Sequence, residues 1–229
     1  MEVRSTIWTI PRDVFVTGAT GYIGRRLIDS LLARGHRVRA LVRPESTGRV
    51  PAGAATVTGN ALDASTFAGA VTAADTIVHL VGTPHPSPKK AAEFQRVDLP
   101  SILASVEAAR RGRAQHLVYV SVAHPAPVMH AYIEVRSAGE HAIAEAGLTA
   151  TILRPWYVLG PGHRWPYVLV PLYAIARLVP STRESARRLG LVTLPQMVAA
   201  LVRAVENPPP AGQIRIVEVP DIKKRLVSP

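Results

Sequence analysis

Short runs of valine, isoleucine, leucine and alanine alternate along the chain with longer segments whose apolar residues recur at helical spacing; no repeat or low-complexity tract interrupts them. The runs at 14–17, 38–42, 55–58, 76–81, 117–121, 150–153 and 214–219 predict strands, and most are continuously hydrophobic, as strands buried on both faces are. Between them, helical periodicity predicts helices over 22–34, 64–73, 89–111, 132–146 and 195–206. Gly35, Gly112 and Gly147 stand where those helices should stop. Strands alternating with helices imply an α/β fold, a parallel sheet covered by helices. The chain reads as a single domain over 1–229, in which residues 154–229, with their proline-rich apolar stretch, supply most of a small C-terminal lobe on the substrate side.

Composition narrows the functional classes. The 229 residues are 48% apolar with no cysteine. A chain of this length buries roughly 70% of its unfolded surface, so one core suffices, and disulfide and thiolate chemistry are excluded. The formal charge of +11 fits a nucleic acid, an acidic partner or an anionic cofactor. The basic residues are scattered, with small clusters at 110–113, 187–188 and 223–225, and are not interleaved with aromatic residues, so no nucleic-acid partner is expected. The N-terminus lacks an apolar core behind basic residues, which predicts a cytoplasmic protein. The longest apolar stretch, 165–176, contains Pro166 and Pro171 and falls short of the ~20 residues of a spanning helix.

The sharpest motif is VFVTGATGYIG at 14–24: a strand, glycines at 18, 21 and 24, then an amphipathic helix. Gly18 permits a tight turn, Gly21 a close approach of backbone to a pyrophosphate, and Gly24 close packing of helix on strand. The helix N-terminus adds N–H donors and a positive dipole end. Gly18, Thr20, Gly21, Tyr22, Ile23 and Gly24 thus form a candidate dinucleotide cradle. A NAD-selective site usually carries an acidic residue about 20 residues further on, at the end of the second strand. Here that strand ends in Arg43, whose guanidinium suits a 2′-phosphate, with Arg25 close enough in sequence to assist. The cofactor expected is NADP, with NAD as the alternative; the competing account of Arg43 is a solvated arginine at a strand end.

The segments TGATGYIG, LVRPES, GNALD (59–63), IVHLVG (77–82) and ILRPWYVLGPG (152–162) together resemble the atypical and extended short-chain dehydrogenase/reductase superfamily. More narrowly, the chain resembles its NmrA-like and nucleoside-diphosphate-sugar-epimerase-like NAD(P)-binding members, over almost its whole length. The resemblance implies a Rossmann-type, doubly wound parallel sheet. It places Asn60 and Ala61 beside the adenine, Val81, Gly82 and Thr83 along the ribose and nicotinamide, and Pro155 to Val158 facing the nicotinamide.

The same resemblance implies a catalytic trio of Ser, Tyr and Lys. Ser121 ends a strand and would orient a carbonyl. Tyr132 would exchange the proton, and Arg136 stands four residues later, on the same helix face, where the superfamily has lysine. Arginine supplies charge and ribose hydrogen bonds with a different geometry, so Tyr132 is either the general acid/base or a surface or substrate-binding tyrosine. Two functions remain open: an oxidoreductase moving hydride to or from a small carbonyl-type or apolar substrate, or a non-catalytic NAD(P)-binding module that senses redox state or assists assembly. The protein is expected to be a monomer or homodimer.

The eight histidines show no ligand spacing, so no metal is expected; His124 and His130, between Ser121 and Tyr132, are candidate substrate contacts. The absence of a GxSxG elbow leaves hydrolase chemistry unsupported. The apolar stretch 165–180 suits a core helix, a pocket wall, a subunit contact or an interfacial membrane contact. Arg183, Arg187 and Arg188 suit a solvated face or an anionic substrate group.

Overall fold

The computed structural model describes residues 10–71, 76–160 and 189–224. The elements in order are β1 (Asp13–Thr17), α1 (Tyr22–Ala33), β2 (Arg37–Val42), β3 (Ala55–Thr58), α2 (Ala68–Val71), β4 (Thr76–His79), α3 (Ala91–Glu93), α4 (Leu99–Gly112), β5 (His116–Val120), α5 (His130–Glu145), β6 (Ala150–Arg154), β7 (Tyr157–Leu159), β8 (Leu191–Thr193), α6 (Leu194–Glu206), β9 (Ile214–Glu218) and α7 (Val219–Ile222). The apolar and arginine-rich stretch across 161–188, His163 included, lies outside the described residues.

Seven strands form one sheet in the order β3-β2-β1-β4-β5-β6-β9, and every pairing in it is parallel. From β1 the chain winds outward to β2 and β3, then crosses back to lay β4 on the other flank of β1. The winding direction therefore reverses between β1 and β4, and a ligand crevice belongs at the carboxyl ends of those two strands. This is the Rossmann-type, doubly wound parallel sheet that the resemblance implied.

Burial follows position in the sheet. β4 is buried throughout, and β1 in all but its first residue, in keeping with their unbroken apolar runs. The edge strands β3 and β9 are largely exposed, Ile214 and Ile216 among them, and their sequences mix apolar residues with Thr56, Thr58, Arg215 and Glu218. Leu27, Ile28 and Leu31 of α1 pack with Met197, Leu201 and Val205 of α6 on one face of the sheet. Phe67, Val71, Ile102 and Ile143 cover the other.

Two local features depart from the simplest reading. After α4, Arg113 and not Gly112 takes the left-handed conformation (φ 53°), because the N–H groups of Arg113 and Ala114 reach back to the carbonyls of Arg110 and Ala109 and close the last turn. The predicted helix 89–111 is composite: a 3-10 turn (Pro88–Lys90), α3, a π-helical turn (Phe94–Asp98) and α4 in unbroken succession. The wide π turn ends on Asp98, which is buried. The helix α6 begins with a reciprocal capping box between Thr193 and Gln196, satisfying two backbone donors that a helix start leaves bare.

Candidate active site

A cavity of about 400 Å3 opens at the carboxyl ends of β1, β4, β5 and β6. Gly18, Gly21, Tyr22, Ile23 and Gly24 form one wall, Leu80 to Pro86 and Val120 to Val122 the middle, Pro155 to Val158 the far side, and Tyr132 and Arg136 reach in from α5. Of the residues singled out from the sequence, the fold brings these glycines, Tyr22 and Ile23 together with Val81, Gly82, Thr83, Ser121, Tyr132, Arg136, Pro155 and Val158. Thr20, Arg43, Asn60 and Ala61 do not line this cavity.

The glycine wall is shaped by backbone. Gly18 has φ +71°, and a Cβ there would stand 2.7 Å from the carbonyl carbon of Leu80, so the turn lies directly on the end of β4. A Cβ on Gly24 would stand 2.3 Å from the Gly18 oxygen, which presses α1 against the turn. Gly21 is exposed and a Cβ there would meet the Gly18 oxygen alone, at 3.1 Å. Its missing side chain keeps the mouth of the turn open, with the first turn of α1 free of acidic residues. Such a cradle fits a diphosphate, which needs backbone donors and no negative side chain. Gly160, past β7, admits the Tyr22 ring: a Cβ there would overlap the phenol oxygen at 1.7 Å.

On the adenosine side, Arg43 is 71% exposed at the side chain and pairs with Glu45 at 3.2 Å. Its guanidinium is thus shared with a neighbouring carboxylate, and Arg25 is exposed on α1. Asn60 is engaged in its own turn, its Oδ1 accepting from Leu62 N (3.0 Å) and its N–H donating to the Thr66 hydroxyl (2.9 Å).

The floor beneath Tyr132 is held by buried charge. Arg136 donates to Asp98 Oδ1 (2.7 Å) and to the Val120 carbonyl (3.0 Å). The other oxygen of Asp98 accepts from the backbone N–H (2.9 Å) and hydroxyl (2.6 Å) of Thr83. Side-chain exposure is 6% for Arg136 and 0% for Asp98. Burial opposes the charge on Arg136, but the phenols of Tyr132 and Tyr119 and the Asp98 carboxylate outweigh it and raise the pKa above its ordinary value. Gly82 makes room for the arrangement, since a Cβ there would meet the Arg136 guanidinium at 2.3 Å. The Tyr132 ring lies against Phe94 (centroids 4.9 Å apart) with the Arg136 guanidinium 5.0 Å from its centroid. Behind it, burial pushes the Tyr119 phenol up to about 12.

Ser121 is also committed. Its hydroxyl donates to Glu140 Oε1 at 2.5 Å, and Glu140 forms a two-pronged pair with Arg154, which reaches Glu218 at 3.2 Å. His124 stands 3.7 Å from the same carboxylate, and His130 is exposed at the start of α5. Asp98, Glu140 and Arg154 did not announce themselves in the sequence, because the helix faces that carry Asp98 and Glu140 also hold polar residues such as Ser101, Ser105 and Arg136. Of the three buried histidines, His36 accepts from the Arg12 backbone N–H (3.2 Å) and stands 3.3 Å from the Glu206 carboxylate, and the other two are satisfied by hydroxyls. His79 meets Thr17, Ser101 and Ser105, and burial, aided by Arg136, drives its pKa down to about 3. His116 meets Thr76 and Thr151 and is pushed down to about 4, chiefly by burial. Among the described residues, no group of three or more His, Asp or Glu side chains could hold a metal ion, and no helix is long and apolar enough to cross a membrane.

A glycine turn at the switch point of a doubly wound parallel sheet defines a dinucleotide-binding α/β protein. Residues 18–169 match the family model described as NAD(P)H-binding, and the chain belongs to that family. It is 28% identical over 213 residues to a ceramide reductase of Caulobacter vibrioides, the match covering 92% of this chain and spanning only 65% of that relative's length. It is 31% identical over 221 residues to a 3-diazoavenalumate denitrifying reductase of a Streptomyces species, covering 85% of this chain and 72% of the relative. Among solved structures, the Bordetella bronchiseptica enzyme WbmH in complex with NAD+ shares the fold with a TM-score of 0.64 at 22% identity, over 86% of this chain and 73% of that one. Epimerases, including a UDP-galactose 4-epimerase (TM-score 0.66), share the same architecture.

Proposed function

We propose that the protein binds NADP in preference to NAD and moves hydride to or from a carbonyl-type or apolar small molecule, within a single domain whose residues 154–229 close over the substrate. The observation that carries this reading is the shared cavity: the glycine turn, Ser121, Tyr132 and Arg136 line one space. Gly18 through Gly24, Thr20 included, would hold the pyrophosphate. Arg43, with Arg25, would take the 2′-phosphate after exchanging its Glu45 partner, and Asn60 and Ala61 would flank the adenine. Val81, Gly82, Thr83, Pro155 and Val158 would line the nicotinamide half. When bound, the reduced cofactor supplies the hydride that the carbonyl carbon accepts. The chain's own part is then positional and protonic. The Tyr132 phenol donates the proton that the substrate oxygen needs, Ser121 orients that oxygen, and Arg136, fixed by Asp98, supplies positive charge beside the phenol. The names of the two relatives, both reductases, support the reductive direction.

A second reading, a non-catalytic NAD(P)-binding module, draws support from Ser121 and Arg136 being engaged with Glu140 and Asp98 respectively. One measurement tests the cofactor assignment common to both readings, and a second separates them. Calorimetry with NADPH and NADH on the wild type and on Arg43→Ala should show tighter NADPH binding that the substitution weakens; unchanged NADPH affinity removes the assigned role of Arg43. A turnover screen with quinones, aldehydes and ketones should find an activity that Tyr132→Phe lowers by about 100-fold or more. Nucleotide binding without turnover selects the module, and no heat with any pyridine nucleotide overturns both.

A further inference from the structure

A second cavity of about 390 Å3 lies beside the first, and Tyr132 lines both. The segment from Pro84 to Pro88 runs along both rims: Pro84, His85 and Pro86 line the first and Pro88 the second. The second cavity is walled mainly by Pro88, Phe94, Pro127, Val128 and Met129, and among the described residues its polar side chains are the His130 ring and the Tyr132 phenol. Val128 is 50% exposed, an apolar side chain at the edge of an apolar hollow. Met129 holds a left-handed backbone (φ 65°) at the cap of α5, which places the turn 127–129 against the first turn of the helix bearing Tyr132. At several hundred Å3, either cavity alone is within the range of ligand sites.

We propose that this second cavity receives the apolar arm of the substrate, so that the molecule acted on is a ketone or aldehyde carrying an alkyl chain of several carbons, its carbonyl at Tyr132 and its chain against Phe94, Val128 and Met129. This rests on the hydride-transfer reading above and adds the substrate class to it. A hollow whose polar side chains are one imidazole and the shared phenol, with no arginine or lysine, offers little to a phosphate or a sugar, whereas each methylene leaving water for its apolar wall gains affinity.

The test is calorimetric titration of methyl ketones from 2-butanone to 2-decanone into the protein, alone and saturated with NADP+, which leaves a ketone unreduced. Affinity should rise about three- to fourfold per added methylene over the shorter members. Val128→Asp, and independently Pro88→Asp on the facing wall, should each weaken 2-decanone binding by about tenfold or more, while Val128→Leu retains the chain-length gain. Both aspartates enter at exposed positions, and thermal unfolding verifies the fold of each variant. Equal affinity from 2-butanone to 2-decanone, or an undiminished gain in both aspartate variants, overturns the proposal. Turnover with NADPH separates the two levels. A chain-length gain without turnover leaves the cavity assignment standing and removes the hydride-transfer reading. Turnover without a chain-length gain does the reverse.

Discussion

The turn after β1 keeps its shape by backbone touching backbone, whereas the floor under Tyr132 keeps its shape by charges sealed from water. In the turn, Gly18 and Gly24 lie so close to Leu80 and to each other that no side chain fits; the contact is steric and local, and water and salt change it little. In the floor, one carboxylate gathers Arg136 and both donors of Thr83, at full or near-full burial. Such a pair contributes little when intact, because desolvating two charges costs about what their attraction returns, yet removing one partner strands the other. One end of the cavity is therefore sensitive to added volume and the other to lost charge.

The largest effect should come from the floor. Asp98→Ala leaves the Arg136 guanidinium buried without a counter-charge, held by the Val120 carbonyl and the tyrosine rings, and should lower unfolding stability by about 3–5 kcal/mol in urea titrations. Removing both charges in Asp98→Ala/Arg136→Met should regain most of that loss. A single-variant loss below about 1 kcal/mol would mean the pair does not hold the floor.

Next comes the turn. Gly24→Ala should cost about 1–3 kcal/mol through overpacking and weaken NADPH binding, because its Cβ meets backbone that cannot move aside. Gly35→Ala is the control. Its φ is +82° but nothing stands within 4 Å of the added atom, so it bears only conformational strain of about 1 kcal/mol and leaves cofactor affinity alone.

The pH response is spread over two buried histidines. His79 and His116 have native pKa values of about 3 and about 4, against 6.5 when free. Between those limits the unfolded chain binds protons that the native state refuses. Stability from these groups is therefore complete above about pH 6.5 and falls as pH drops toward 4, by up to roughly 1.4 kcal/mol per pH unit for each histidine. Urea midpoints at pH 7, 6 and 5 should fall in that order, and His116→Asn should flatten the fall. The smallest change belongs to the adenosine side, where Arg43→Ala, losing one exposed pair with Glu45, should alter stability by less than about 0.5 kcal/mol whatever it does to NADPH binding.

What could be read along the chain follows the same division. The run 14–24 carries strand, glycines and helix in adjacent residues, so both the turn and its packing demand are written within one segment. Helical spacing also puts Tyr132 and Arg136 on one face of α5, and the guanidinium lies over the phenol ring. Asp98 stands 38 residues from Arg136 and Glu140 19 residues from Ser121. No local pattern links them, and an acidic residue in a helix reads as solvated until the sheet is assembled. The π turn that delivers Asp98 to the floor is likewise silent, since its residues fit an ordinary helical pattern.

Sequence alone determined the parallel α/β architecture and the glycine turn after its first strand, because hydrophobic period and glycine placement act over a few residues and survive without knowledge of neighbours. The tertiary structure decided which charges are buried together, that Ser121 answers to Glu140 and Arg136 to Asp98, and that Tyr132 lines two cavities at once. Those are matters of distance between segments remote in the chain, and the strength of an electrostatic contact depends on burial that only the packed sheet and helices create.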